Sequence, residues 1–128
     1  MLVKHTVSIT TDAAGDFTGY IGTLRKGSTT LADFAGTVHM IKYTEGTLAA
    51  SLTDVTIKGE TTDTPILTLT NQSGDGFFYP RASAVDTGNT AITNSAEKIK
   101  IKDERIKVTV AQGGANKSGT IEIWMEEE

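Results

Sequence analysis

Short runs in which apolar and polar residues alternate recur along this chain, and they restrict its fold more than any other feature. The alternation is clean over residues 3–10 near the start and over residues 120–126 near the end. A period of two residues places successive side chains on opposite faces of a β-strand. No segment keeps a 3.6-residue apolar period for three turns, so the pattern predicts an all-β protein with almost no helix.

Turn-rich segments separate the alternating runs and indicate how the strands are connected. The remaining strands are predicted over residues 17–24, 37–43, 55–58, 66–70, 98–102 and 105–110. In the run 37–43, Val38 and Met40 are predicted to face away from His39, Ile41 and Tyr43. About eight short strands at this spacing favour an antiparallel β-sandwich, jelly-roll-like or Ig-like, with a small β-barrel as the alternative.

The connections point to one domain that spans residues 1–128. Two hairpins are expected, 55–58 with 66–70 and 98–102 with 105–110, and a Gly-rich hairpin loop is expected before the last strand at 112–119. Residues 25–36 fit either one short helical turn or an irregular crossing between sheets. A long loop or arm is predicted at about 82–97, and a loop of that length in a compact domain is usually functional.

Composition narrows the class of protein without choosing a function. The chain has 22 threonines, which suit a half-exposed pleated surface. It has no cysteine, so disulfides and thiolate chemistry are excluded. No segment approaches the apolar length of a membrane span or a signal peptide, so we expect no membrane partner and a mature protein made of the whole chain. The net charge of −4 argues against an overall electrostatic attraction to nucleic acid.

A basic stripe is the first candidate binding site. If residues 98–110 form a hairpin, its cations would lie on one face, which could bind phosphates or an acidic protein surface. A solvated face neutralised by Glu122 and Glu126 of the last strand is the favoured interpretation, since no aromatic residues are interleaved for base stacking. The members of this candidate basic face are Lys98, Lys100, Lys102, Arg105 and Lys107.

Residues with catalytic or metal-binding potential do not form a recognisable motif. His5 and His39 each alternate with apolar residues, as partly buried strand residues do. Asp54, Glu60 and Asp63 do not have the spacing of a calcium loop. The run 112–119 ends in Lys-Ser but lacks the glycine before the lysine and the following helix of a phosphate loop. We therefore expect no enzyme activity, no metal and no cofactor.

An aromatic run that follows the polar loop 71–76 is the second candidate site. Three adjacent aromatic residues cannot all face the same side of a strand, so at least one should leave the domain's own core. It would be covered either by the loop that follows or by another subunit, because aromatic and arginine side chains are typical of interface centres. This candidate partner interface comprises Phe77, Phe78, Tyr79, Pro80 and Arg81.

Several motifs resemble a family of small structural proteins encoded among the virion-assembly genes of tailed bacteriophages. The resemblance covers residues 36–124 and is carried by GTVHMIKYTEGTL, VTIKGE, PILTLTNQSGDGFFYPRA and KIKIKDERIKVTVAQGGANKSGTIEIW. It implies a structural part of the virion: a capsid decoration or cement protein, a head-to-tail connector or a minor tail component. Of these we expect a decoration or cement protein, which would bind the major capsid protein or other virion subunits and form homo-oligomers. The resemblance brings no catalytic residues.

Two alternatives accompany this expectation. The same domain could lie at the head-tail junction or in the tail, where β-rich domains assemble as rings. A glycan-binding module is the other alternative, because aromatic side chains can stack on sugars; its candidate residues are Tyr20, Tyr43, Tyr79 and Trp124.

Overall fold

The chain is all-β, as the sequence predicts. The computed structural model describes residues 1–82, 88 and 96–127, and these residues contain no helix. The strands in chain order are β1 (Leu2–Thr10), β2 (Phe17–Ile21), β3 (Ala35–Thr44), β4 (Thr53–Gly59), β5 (Pro65–Gln72), β6 (Gly76–Phe78), β7 (Arg81–Ala82), β8 (Glu97–Lys98), β9 (Lys100–Lys102), β10 (Ile106–Ala111) and β11 (Ser118–Glu127).

Two antiparallel sheets pack together as a sandwich. The first sheet has the order β1-β11-β3, and the far edge of β3 is shared by β6 and β9. The second sheet has the order β2-β10-β4-β5, while β7 and β8 form a short ribbon of their own. The described strands form no closed barrel. The sandwich prediction is therefore confirmed, and the barrel alternative is wrong.

The core lies between the sheets and is built from the inward-facing residues of the alternating runs. Ile121, Ile123 and Met125 of β11 are fully buried, and Val108 of β10 and Ile57 of β4 are buried opposite them in the second sheet. Burial of each such side chain contributes about 1.5–3 kcal/mol. The predicted hairpin of β4 with β5 is also confirmed by direct antiparallel pairing.

A β-bulge interrupts β3 at His39. The register of β3 against β11 passes from Met40 directly to Val38, so His39 has no paired residue on β11. One extra residue reverses the phase of the alternation. Val38, Ile41 and Tyr43 are consequently all buried in the core. The predicted placement of Val38 on the face opposite Ile41 and Tyr43 is wrong for this reason.

Two turns that the alternation assigned to hairpins instead carry the chain between the sheets. β9 pairs with β3 in the first sheet, whereas β10 pairs with β2 and β4 in the second. Residues 103–105 therefore cross the sandwich, and the predicted hairpin of 98–102 with 105–110 is wrong. The Gly-rich segment 112–117 likewise joins β10 to β11 across the sandwich.

A second crossing runs beside residues 103–105 in the opposite direction. Residues 22–34 lead from β2 to β3 without a helical turn, so the crossing alternative for this segment is confirmed. The Ala32 amide donates to the Asp103 carbonyl at 3.0 Å, and the Asp103 amide donates to the Phe34 carbonyl at 2.9 Å. These bonds join the two crossings and close one end of the sandwich.

A buried carboxylate from this crossing organises the loop between β4 and β5. Glu104 is 4% exposed, and its Oε1 accepts hydrogen bonds from the amides of Thr61 at 2.9 Å and Thr62 at 3.0 Å. Its Oε2 accepts a bond from the Thr62 hydroxyl at 2.7 Å. A Cβ atom at Gly59 would lie 2.5 Å from Glu104 Oε1, so a larger residue there would displace the carboxylate from these hydrogen bonds.

The predicted long loop at about 82–97 begins and ends in the β7–β8 ribbon. Arg81 pairs with Lys98, and Ala82 pairs with Glu97. Residues 83–87 and 89–95 of this loop lie outside the described residues. The ribbon leaves the first sheet between β6 and β9, beside the His39 bulge: Arg81 donates to the His39 carbonyl at 3.2 Å, and the Val38 amide donates to the Ile99 carbonyl at 2.8 Å.

Candidate docking face on the first sheet

The aromatic run lies on β6 and directly after it, and its side chains alternate between core and solvent. Phe78 is partly buried and packs against the core, whereas Phe77 and Tyr79 are 57% and 59% exposed. The prediction that at least one of the three leaves the domain's own core is therefore confirmed. Pro80 is buried, so Pro80 and Phe78 do not contribute an exposed surface to the candidate interface.

Strand pairing brings other apolar side chains beside Phe77 and Tyr79 on the outer face of the first sheet. Phe77 pairs with Lys42 of β3, which lies two residues from Met40, and Met40 pairs with Trp124 of β11. Met40 and Trp124 are partly exposed. We call Met40, Phe77, Tyr79 and Trp124 the aromatic patch.

Lysine ammonium groups approach two of these rings. Lys42 Nζ lies 5.4 Å from the centroid of the Phe77 ring. Lys4 Nζ lies 6.0 Å from the centroid of the Trp124 ring and 3.2 Å from Glu122 Oε2. Cation–π contacts at exposed sites contribute about 0.5–1 kcal/mol each. These two contacts place the charges of Lys4 and Lys42 at the margin of the aromatic patch.

More cations follow along the split edge of this sheet. Ile99 and Ile101 are buried, so the lysines that alternate with them project outward, and all three are exposed. Arg81 lies directly opposite Lys98 in the ribbon, with like charges side by side. We call the following set the basic border: Lys4, Lys42, Arg81, Lys98, Lys100 and Lys102.

The basic face expected from the sequence is thus divided between two sheets. Lys98, Lys100 and Lys102 belong to the first sheet and its ribbon, whereas Arg105 and Lys107 lie on the second. The prediction that all five share one face of a hairpin is wrong, because residues 103–105 cross the sandwich. We define the docking face as the aromatic patch together with its basic border.

Arg105 is occupied on the outer face of the second sheet. Its Nε and Nη2 atoms donate to Glu60 Oε1 at 2.9 Å and Oε2 at 2.6 Å, and its guanidinium lies 3.8 Å from the centroid of the Tyr20 ring. The hydrogen bond from Arg105 lowers the pKa of Glu60, against a smaller opposing effect of desolvation. The same bond raises the pKa of Arg105. The Arg105 guanidinium is therefore already paired with a carboxylate within the domain.

The four aromatic residues considered for glycan stacking do not form one platform. Tyr43 is fully buried, and this burial raises the pKa of its hydroxyl, with a further contribution from the Glu45 carboxylate. Tyr20 is covered by Arg105 on the second sheet. Tyr79 and Trp124 remain together on the first sheet. The stacking surface predicted from Tyr20, Tyr43, Tyr79 and Trp124 is wrong in this form, since one residue is internal and another lies on the other sheet.

His5 and the carboxylates Asp54 and Asp63 each interact with a different partner. His5 Nε2 bonds to the Glu127 carboxylate, and the His5 ring meets Phe34 edge to face at 5.6 Å. Asp54 Oδ1 accepts a hydrogen bond from the backbone amide of Asn71 at 2.8 Å. Asp63 pairs with the Lys58 ammonium group at 2.9 Å, and this contact lowers the pKa of Asp63. Within residues 1–82, 88 and 96–127, no three His, Asp or Glu side chains are placed to hold a metal ion.

Sequence reasoning missed Met40, Lys42, Lys4 and Trp124 as neighbours of the aromatic run. Alternation indicates which face a side chain occupies but not which strands are adjacent. The alternation did carry one signal, because it predicts that each of these residues, on its own strand, faces away from the core. In β3 that prediction is complicated by the bulge at His39, which reverses the alternation.

Comparisons with known proteins add little to this description. No protein-family model matches the chain, and no curated protein sequence matches it. Among solved structures, a chain from the "Structure of infectious bursal disease virus Gx strain" aligns with a TM-score of 0.21 and 12% identity over 98% of this chain. This chain spans 37% of the length of that one. A TM-score this low carries no argument. In the described residues, no helix has the length and apolar character to cross a membrane.

Proposed function

We propose that this chain is a non-enzymatic structural protein of a tailed-phage virion, and that it acts as a capsid decoration or cement protein. The aromatic patch is the observation that carries the proposal. Phe77 and Tyr79 are each more than half exposed at the edge of an otherwise polar sheet surface. Exposed apolar patches with a polar rim mark protein contacts, and aromatic side chains dominate their energetics. The motif resemblance over residues 36–124 supports the virion context.

The decoration role predicts where the protein resides. Gold-labelled antibody against this chain should bind intact particles of the phage that encodes it, over the surface of the capsid. Label confined to the neck or the tail would instead support the head-tail junction or tail alternative. Particles without label at any position would contradict a virion role altogether.

A matched pair of variants tests whether the docking face makes the contact. Phe77→Ala with Tyr79→Ala should reduce incorporation into particles at least about tenfold, because truncation of a hot-spot residue at the centre of an interface costs about 2 kcal/mol or more. Tyr20→Ala removes a 40% exposed aromatic side chain from the second sheet and serves as the control. Equal incorporation of both variants would assign the contact to another surface.

The glycan-binding alternative has weaker support. Sugar stacking needs an open ring face, whereas Lys42 and Lys4 lie over Phe77 and Trp124. A glycan array with the purified protein separates the two functions, since specific sugar binding lost in Trp124→Ala would favour the glycan module.

A further inference from the structure

The charge of the docking face is opposite to that of the whole chain. The chain carries 12 Lys and Arg against 16 Asp and Glu, a net charge of −4. The six cations of the basic border are half of that positive charge. On the same face and its ribbon the strand pairing places three described carboxylates, Glu97, Glu122 and Glu126. Glu122 already pairs with Lys4. The face therefore carries a net positive charge on an acidic protein.

Part of this positive charge has no counter-charge within the described molecule. Lys98 and Lys102 form no ion pair with the described residues. Arg81 binds two carbonyl oxygens, those of His39 and Pro80, and lies opposite Lys98. Like charges directly opposite each other destabilise a strand pair. An external acidic surface would relieve this repulsion.

The molecule itself carries such a surface at one end of the sandwich. Four connections meet there, at residues 11–16, 45–52, 73–75 and 112–117. The Gly113 amide donates to the Gly15 carbonyl at 2.9 Å, and the Ala49 amide donates to the Gly113 carbonyl at 3.0 Å. The Glu45 amide donates to Asp75 Oδ1 at 2.9 Å, which attaches the third connection.

Carboxylates dominate this end, which we call the acidic end: Asp12, Asp16, Glu45, Asp54 and Asp75. Lys117 is the one cation in its four connections. The bonds that Asp12, Asp54 and Asp75 accept come from backbone amides, which leave the negative charge uncompensated. Leu52 lies among them and is 55% exposed. The acidic end therefore offers both negative charge and an apolar side chain.

We propose that the docking face binds the acidic end of a second copy of this chain. Carboxylates of one copy then face the basic border of the next, and Leu52 packs on the aromatic patch. This inference rests on the protein-docking role proposed above for the face, but not on a location in the virion. A single-stranded nucleic acid fits less well, because its bases need open ring faces for stacking, whereas Lys42 and Lys4 lie over the Phe77 and Trp124 rings.

Light scattering coupled to size-exclusion chromatography tests the contact. The wild-type protein should associate at low salt and dissociate in high salt, because exposed charges are screened. Lys98→Glu with Lys102→Glu reverses the charge at two positions of the docking face. The fold should tolerate this change, because a glutamate at position 98 would pair with Arg81 on the opposite strand. Asp16→Lys with Leu52→Lys replaces a carboxylate and the exposed apolar side chain of the acidic end with cations. Each variant should weaken association at least about tenfold.

Mixing these two variants provides the decisive measurement. One keeps an intact acidic end and the other an intact face, so the mixture should form a one-to-one pair although each variant alone is monomeric. Lys26→Glu with Lys107→Glu is the control for the lysine variant of the face. It changes the net charge by the same amount at positions outside the contact and should associate like wild type. Circular dichroism confirms that each variant is folded.

Three results would overturn the inference. The first is a wild-type protein that is monomeric at every salt concentration. The second is a mixture that remains monomeric, and the third is association that survives both variants. A monomeric protein that binds labelled oligothymidylate would assign the face to nucleic acid instead. Failure of the particle labelling described above would leave the self-association result intact, so the two proposals fail separately.

Discussion

The outer faces of the two sheets differ in how far their side chains satisfy one another. On the second sheet, strand pairing aligns four threonines in one row across all four strands: Thr18, Thr109, Thr56 and Thr68. Beside this row, Arg105 binds Glu60 and Lys58 binds Asp63. The first sheet instead exposes the aromatic patch, and in the ribbon at its edge Arg81 lies directly opposite Lys98.

This difference separates a surface whose polar side chains pair with one another from a surface that leaves aromatic rings exposed. Short hydroxyl side chains and local ion pairs suit a solvated pleated face at little energetic cost. Exposed rings beside like-charged neighbours are costly in an isolated domain. Of the two outer faces, the first sheet is therefore the one on which we propose the docking face.

The sharpest test of this comparison is the contrast between two adjacent phenylalanines. Phe78→Ala should lower the free energy of unfolding by about 2–3 kcal/mol, because its ring packs on the core. Phe77→Ala should change it by less than about 0.5 kcal/mol, as expected for an exposed side chain. Urea denaturation of both variants measures the difference. Equal losses would show that the exposed ring also supports the fold.

A second test of this comparison concerns the loop between β4 and β5 in the second sheet. Glu104→Ala should reduce the free energy of unfolding by about 2 kcal/mol, since two amides and a hydroxyl lose their charged acceptor. Glu104→Gln keeps one acceptor oxygen and should lose less. Thermal denaturation followed by circular dichroism provides the measurement. The Glu104→Gln variant is also the control for cavity effects, because its volume is unchanged.

The ion pair on the second sheet should respond to pH in a defined direction. Because the folded-state pKa of Glu60 lies below its ordinary value of 4.5, the stabilisation is complete above about that pH. It decreases as the pH falls through the lowered pKa. Glu60→Gln should therefore cost about 1 kcal/mol at neutral pH and progressively less in acid. A difference from wild type that stays constant down to strong acid would contradict this role of the pair.

The smallest expected effect belongs to the basic border. Lys102→Ala should leave the free energy of unfolding within about 0.5 kcal/mol of wild type. Lys98→Glu should increase it by a few tenths of a kcal/mol, because a glutamate would face Arg81. Guanidinium denaturation at low salt is the suitable measurement. A substantial loss in either variant would mean that these lysines already have partners within the domain.

Alternation predicted the strand content and the inward residues of most strands, because a period of two follows directly from backbone geometry. It could not predict which strands pair. The turn at Asp103 has the chemistry of a tight hairpin, with a positive φ of 60° at the aspartate, yet the chain changes sheets there. Pairing with β3 and the bonds of Glu104 to the distant 61–62 amides decide the outcome, and both are long-range interactions.

The docking face shows the same limit. The sequence indicated that one of Phe77, Phe78 and Tyr79 must be exposed, and it indicated which residues of β9 were basic. Their proximity to Met40 and Trp124 arises because β3 pairs with β11 on one side and with β6 and β9 on the other. The bulge at His39 further changes which β3 residues face outward, and no local pattern marks it.

The β7–β8 ribbon makes this sandwich a candidate carrier for foreign peptides. Arg81 with Lys98 and Ala82 with Glu97 hold the two ends of the intervening segment side by side, within the spacing of neighbouring strands. The closure entropy of a longer guest segment would grow only slowly with its length. A guest whose own ends lie close together, such as a small folded epitope, could replace this segment while both sheets keep their registers.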